Sequence, residues 1–216
     1  MSAEKLAFWN MQIVIATRNE HKLREISQIL KVDGVEFLSL NDFPDCPEVE
    51  ETGKTFADNT LIKAQTAAYH SGCWALADDS GLEVDALQGR PGVHSARYAG
   101  DEADPEKNIQ KLLAELKGLP PEKRTARFVC TMALVSNHNR AYFTEGKIEG
   151  RITDQPRGRN GFGYDPVFWL PQYEKTMAQL SPEEKNDISH RTIALRKIAP
   201  LIASLSGRDR PNCPVA

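Results

Sequence analysis

No stretch of the sequence approaches the ~20 consecutive apolar residues that a membrane-spanning helix needs. The first ten residues, MSAEKLAFWN, also lack the long apolar segment of a secretory leader. A cytoplasmic chain without a membrane partner is therefore expected. Cysteine is scarce: Cys46, Cys73, Cys130 and Cys213 form no C-x-x-C pair, and no His stands at zinc-ligand spacing. A zinc site is not expected, and the thiols are read as reduced. A charge excess is missing too. Lys plus Arg total 27 against 30 Asp plus Glu, a net charge of −3. That argues against a duplex-binding surface and leaves room only for a local basic pocket around a small anion. Internal repeats and low-complexity segments are absent.

What remains is ordinary globular material, 40% hydrophobic and 26% charged over 216 residues. A chain of this size hides roughly 70% of its unfolded surface, enough for one large α/β domain or two small lobes. Residues 12–16 (QIVIA) read as a buried strand just after Met11, a candidate alternative start. Residues 21–31 carry Leu23, Ile26, Ile29 and Leu30 on one helical face. A strand at 35–40, an acidic loop at 41–55 and an Ala-rich helix at 56–71, stopped by Gly72, follow. Residues 74–77 read as a strand ending at Asp78-Asp79-Ser80-Gly81, with a second short strand at 82–87. Asp104-Pro105 starts a helix. Two long strands, 127–136 and 140–152, join through Asn137-His138-Asn139, and 166–170 is strand-like. One last helix begins at Ser181, with Pro200 as a kink or break. Parallel-looking strands come early and hairpin strands late, so the expected fold class is α/β with a mixed sheet.

Five groups of residues have chemistry to offer, each with a plain structural alternative. Thr17, Arg18, Asn19, Glu20, His21 and Lys22 join a strand to a helix. Helix N-termini attract phosphate, yet Thr17 or Asn19 serves equally as a simple cap. Asp78 and Asp79 are adjacent carboxylates that either share a cation such as Mg²⁺ or form a solvated turn. Glu51 offers the same cation another oxygen. Gly161-Phe162-Gly163-Tyr164-Asp165 allows close backbone approach and a ring for stacking, or is a hairpin turn. Lys185 and His190-Arg191 either meet a purine edge or lie at the surface, and Lys63 either faces solvent or a phosphate.

The order of the motifs is more specific than any one of them. ATRNEHK, EETG with TFADN and LIKA, ADDSGLEVDAL, PGVHSARYAG, GFGYDP and EEKNDISHR together resemble the inosine triphosphate pyrophosphatase family, bacterial dITP/XTP type, over residues 12–205. The resemblance implies an elongated two-lobed single domain over 11–206 with a central active-site cleft. A short extension at 1–10 and a disordered tail at 207–216 flank it. It implies Mg²⁺-dependent cleavage of ITP, dITP and XTP to the monophosphate and pyrophosphate, and a homodimer. Residues Thr17 to Lys22 and Lys63 would meet the phosphates. Asp79 would be the catalytic carboxylate and a metal ligand, helped by Glu51 and Asp78, and Ser80 would touch substrate. Phe162, Gly163, Tyr164, Asp165, Lys185, His190 and Arg191 would form the nucleoside pocket, with the Phe162 region's N–H groups or Arg191 meeting the 6-oxo group. Arg159 departs from the neutral or acidic residue common in related chains. Rival readings are a pyrophosphatase for modified pyrimidine or methylated guanine triphosphates, a nucleotide sensor that does not hydrolyse, and a nucleic-acid-binding module.

Overall fold

The computed structural model describes residues 11–206; the extension at 1–10 and the tail at 207–216 lie outside the described residues. Strand β1 (Met11–Ile15) is apolar and buried apart from the partly exposed Gln12. It pairs in parallel with β2 (Val35–Ser39) on one side and with the start of β3 (Trp74–Val84) on the other. From β3 onward every pairing is antiparallel, through β4 (Thr125–Val135), β5 (Ala141–Ile152), β6 (Phe168–Leu170) and β7 (Lys175–Thr176). The seven strands form one sheet in the order β2-β1-β3-β4-β5-β6-β7, the expected mixed α/β architecture.

Alternation along the strands assigns the two faces. Ile13, Ile15, Leu76, Met132 and Leu134 pack with helices α1 (Glu20–Ile29) and α5 (His190–Ser206). Val14, Ala75, Ala77, Ala133 and Val135 pack with α2 (Phe56–Ser71) on the opposite face. A third cluster gathers Leu82, Val84, Phe128 and Phe168 with α3 (Pro105–Glu115). The caps follow the sequence: Thr55 and Asp58 form a capping box on α2, Gly72 ends that helix at φ 69°, and Asp104 caps α3.

Three readings need correction. First, β3 runs unbroken through Asp78-Asp79-Ser80-Gly81, where a strand end, a turn and a second strand were expected. The partner β4 is apolar over most of its length and matches β3 residue by residue from Ala75↔Val135 to Val84↔Ala126. That continuous ladder overrides the turn preference of Asp, Ser and Gly. The chain leaves the strand at Val84 into a 3₁₀ turn, Asp85–Leu87. Second, the last helix is two: α4 (Pro182–Ile188) and α5. The break falls at Ser189, whose extended backbone ends α4 and whose hydroxyl accepts from the Thr192 N–H. Pro200 lies inside α5, which continues because Ile202 and Leu205 remain buried. Third, Cys46 and Cys130 are free, but Cys73 is disulfide-bonded. Cysteine count and spacing do not report which thiols come within bonding distance. No helix of the described residues is long and apolar enough to cross a membrane.

Candidate active site

The cleft follows from the shortness of β1. That strand pairs with β3 only at Trp74, Ala75 and Leu76. Among the described residues, the same edge of β3 beyond Leu76 has no strand neighbour, apart from one isolated bridge between Glu83 and Pro91. The notch past the C-terminal end of β1 is where open α/β sheets place ligands. A cavity of about 490 Å³ occupies it, within the range of small-molecule sites. It is lined from the β1–α1 turn, the 46–51 loop, α2, Asp79 to Gly81 of β3, the 162–165 turn, Lys185 and His190.

Because Asp78 and Asp79 are consecutive in a strand, their side chains leave opposite faces of the sheet. Asp79 points toward α2. Its Oδ2 accepts from the Asn59 amide at 3.1 Å, and its Oδ1 lies 3.3 Å from the Lys63 ammonium. Lys63 also reaches Glu51 Oε1 at 3.0 Å. Burial raises the pKa of Asp79; Lys63 and Lys22 oppose that shift without cancelling it. Lys63 loses solvation, yet Asp79, Asp78 and Glu51 leave its pKa raised. Asp78 points toward α1 and α5. Its Oδ2 lies 3.1 Å from both Lys22 Nζ and Arg191 Nη2. Burial alone would raise its pKa, but Lys22, Arg191 and Lys63 hold it well below the usual carboxylate value. Its side chain is fully buried and does not line the cleft, and its Oδ1 has no hydrogen-bond partner.

Thr17, Arg18, Asn19, His21 and Lys22 all border the cleft, whereas Glu20 is exposed and does not. Asn19 behaves as a cap: its Oδ1 accepts from the His21 and Lys22 N–H groups at 3.0 and 3.2 Å. Arg18 donates to the Cys46 carbonyl at 2.7 Å. Across the cleft the His21 ring stacks on Phe162, with centroids 5.3 Å apart. The Phe162 turn is fastened by Asp165, whose Oδ2 accepts from the Phe162 N–H at 2.9 Å and from Lys185 Nζ at 2.7 Å. A Cβ on Gly161, which has φ +78°, would fall 2.0 Å from that oxygen. Lys185 stands 4.5 Å from the Phe162 ring centre, and His190 stacks on Phe128. Burial, then Arg191 and Lys185, push His190 well below its ordinary pKa and keep it neutral.

Lys185, His190 and Arg191 are thus buried, where their residue types alone favour the surface. Arg191 is enclosed by Asp78, Ser80 and Glu25, so it stands behind the cleft wall. Arg157 and Arg159 are exposed and also lie outside the cleft lining.

Two residues escaped the sequence reading. Glu25 pairs with Lys185 at 3.0 Å and with Arg191. It lies one turn beyond Lys22, and that spacing was its only signal. Asn59 is buried among alanines in α2, one turn before Lys63. A polar side chain in an apolar helix stripe marks it, but does not name its partner.

Mixed sheet, notch, and buried carboxylates each set against a lysine fit an α/β protein that handles a small anionic ligand. The model of the Ham1 family matches residues 13–201, and the chain belongs to that family. It is 54% identical to a dITP/XTP pyrophosphatase of Geobacillus kaustophilus, over 87% of this chain and 92% of that one. It is 56% identical to the protein of that name from Geobacter sulfurreducens, over 85% and 92%. Among solved structures, a HAM1 protein from Coxiella burnetii superposes with TM-score 0.84 at 42% identity, covering 90% of this chain and 99% of that one.

Proposed function

We propose that the chain hydrolyses deaminated purine nucleoside triphosphates (ITP, dITP and XTP) to the monophosphate and pyrophosphate, clearing them from the cytoplasmic nucleotide pool. The names of its relatives support this reading. The observation that carries it is the contact of Lys63 with both Glu51 and Asp79 in a cleft that the Phe162 turn also lines.

The donor set fits Mg²⁺. The Lys63 ammonium already stands between Glu51 and Asp79, so the site tolerates positive charge there. Among the described residues no three His, Cys, Asp or Glu side chains converge. Mg²⁺ needs fewer: one or two carboxylates, with waters and phosphate oxygens completing its shell. Glu51 and Asp79 would hold it, while Asp78 is committed to Lys22 and Arg191. Bound there, Mg²⁺ supplies charge neutralisation for the departing pyrophosphate.

The protein's own groups do the rest. Lys22 and Lys63 set positive charge against the phosphates. Asp79 takes a proton from the water that attacks the α-phosphorus. Of the expected donors to the 6-oxo group, the Phe162 N–H goes to Asp165 and Arg191 goes to Asp78, Ser80 and Glu25, so within that turn the role falls to the Gly163 and Tyr164 N–H groups. Lys185 offers a further donor beside them. Its ammonium has three donors, of which two serve Asp165 and Glu25. The third meets a 6-oxo acceptor but clashes with the 6-amino donor of adenine, at about 1–3 kcal/mol per unpaired group.

The test is product analysis with ITP, XTP, ATP and GTP, with Mg²⁺ and with EDTA. Mg²⁺-dependent pyrophosphate plus monophosphate from ITP and XTP is the expected result. Orthophosphate would move the cut to the wrong bond, and binding without cleavage would favour a sensor. The same reading includes a homodimer, which a monomer mass by light scattering would remove.

A further inference from the structure

We infer that Asn59 is a positioning residue that fixes the Glu51 loop and the Asp79 carboxylate relative to each other. The inference rests on the proposed pyrophosphatase reading and deepens it. Asn59 is 2% exposed, and both ends of its amide are used. Its Oδ1 accepts from the Gly53 N–H at 2.7 Å, and its Nδ2 donates to Asp79 Oδ2 at 3.1 Å. Gly53 lies two residues after Glu51 in a loop without regular secondary structure. A single side chain, held on the first turns of α2, therefore ties that loop to the strand carrying Asp79.

The fit is close on the loop side. A Cβ on Gly53 would come within 2.5 Å of Asn59 Oδ1 and 2.8 Å of the Asn59 backbone nitrogen. Only a glycine brings its N–H so near. On the strand side the amide occupies Asp79 Oδ2, leaving Oδ1 toward Lys63 and the Ser80 N–H. Asn59 thereby selects which carboxylate oxygen faces the cation position shared with Glu51. Among the described residues, Lys63 is the other side chain that joins this loop to Asp79, and its long stem holds distance but not orientation.

Partners of this kind, one bond removed from the reacting groups, change activity or metal affinity by about 10–100-fold when lost. Two variants of the full chain separate the halves of the clamp. Asn59→Leu removes both bonds. Asn59→Asp keeps an acceptor for Gly53, but loses the donor and sets a second carboxylate against Asp79. Both should lower kcat for ITP by about 10–100-fold while KM moves by less than about threefold. Both should also raise the Mg²⁺ concentration needed for half-maximal rate. Amide exchange at Gly53, read by NMR on the metal-free protein, should accelerate in Asn59→Leu and stay slow in Asn59→Asp. Wild-type kcat in either variant, a change confined to KM, or unchanged Gly53 exchange in Asn59→Leu would overturn the inference. Failure of the underlying reading looks different: the wild-type chain itself would release no pyrophosphate, and the Gly53 exchange would still decide whether the clamp exists.

Discussion

A pair of neighbouring aspartates has two meanings, depending on the backbone beneath it. In a turn, Asp78 and Asp79 would share one environment and repel. In β3 they point apart, and the sheet gives each its own counter-charge: Lys22 and Arg191 for Asp78, Lys63 for Asp79. Their pKa values move in opposite directions for that reason. The two residues should accordingly fail in different ways when altered around them. Asp79→Asn is expected to reduce ITP turnover at least a thousandfold while its circular dichroism and melting stay close to wild type; appreciable turnover by that variant would remove Asp79 as the base. Arg191→Ala should do the reverse of what a base-reading surface arginine would do. Arg191 is fully buried, and its loss leaves Asp78 with Lys22 and Glu25 with Lys185 as their remaining ion-pair partners. Breaking one partner of a buried pair costs about 3–5 kcal/mol. Urea unfolding should register that loss, and an unchanged midpoint with reduced turnover would return Arg191 to the role of a substrate contact.

At the level of elements, the sequence was most readable where local signals and packing agree. The Ala-rich α2 ends as its pattern says, at Gly72, and the hairpin at Asn137-His138-Asn139 joins two long strands. It misled where the two disagree. Asp-Asp-Ser-Gly is good turn chemistry, but an apolar partner strand recruited it into β3. Pro200 is a good breaker, but buried Ile202 and Leu205 keep α5 intact beyond it. Most of the candidate residues border the cleft, but Glu20, Asp78 and Arg191 do not, and the contacts of each were not legible. Nothing in one dimension says that Arg191 is enclosed by Glu25 and Asp78, or that Asn59 reaches Gly53 and Asp79. A close helix–strand contact was equally hidden. At Gly146 of β5 a Cβ would lie 2.1 Å from the His190 carbonyl and 2.6 Å from the Ala194 nitrogen, so α5 rests directly on the strand's backbone. Gly146→Ala must push that helix away. The expected cost is about 1–3 kcal/mol or more, with reduced turnover as well, because the displaced turn carries His190. A melting temperature equal to wild type would contradict so close an approach.

Taken as a whole, the molecule concentrates buried charge around its cleft, and acid will act on it through several groups of opposite sign. Asp78 has a depressed pKa, so its stabilising effect is complete above the unfolded value near 3.8 and is lost only as pH falls further below it. Asp79 and Asp165 have raised values, so they take up protons in the folded state before the unfolded chain does. Acidification toward 3.8 thus relieves them in part. His190 acts with the opposite sign to Asp79 and Asp165. Its folded pKa lies well below 6.5, held down by burial and by Arg191 and Lys185, while the unfolded chain protonates near 6.5. Below that point the unfolded state binds one more proton than the folded state, so stability must decline as pH falls. One proton corresponds to about 1.4 kcal/mol per pH unit. Urea unfolding at pH 7.5 and 5.5 should therefore show a drop of up to about that size in the wild-type chain. His190→Gln cannot titrate, so it should be less stable overall yet lose much of this pH dependence. An equal drop in the variant would mean that His190 is not the group whose burial couples folding of the cleft to pH.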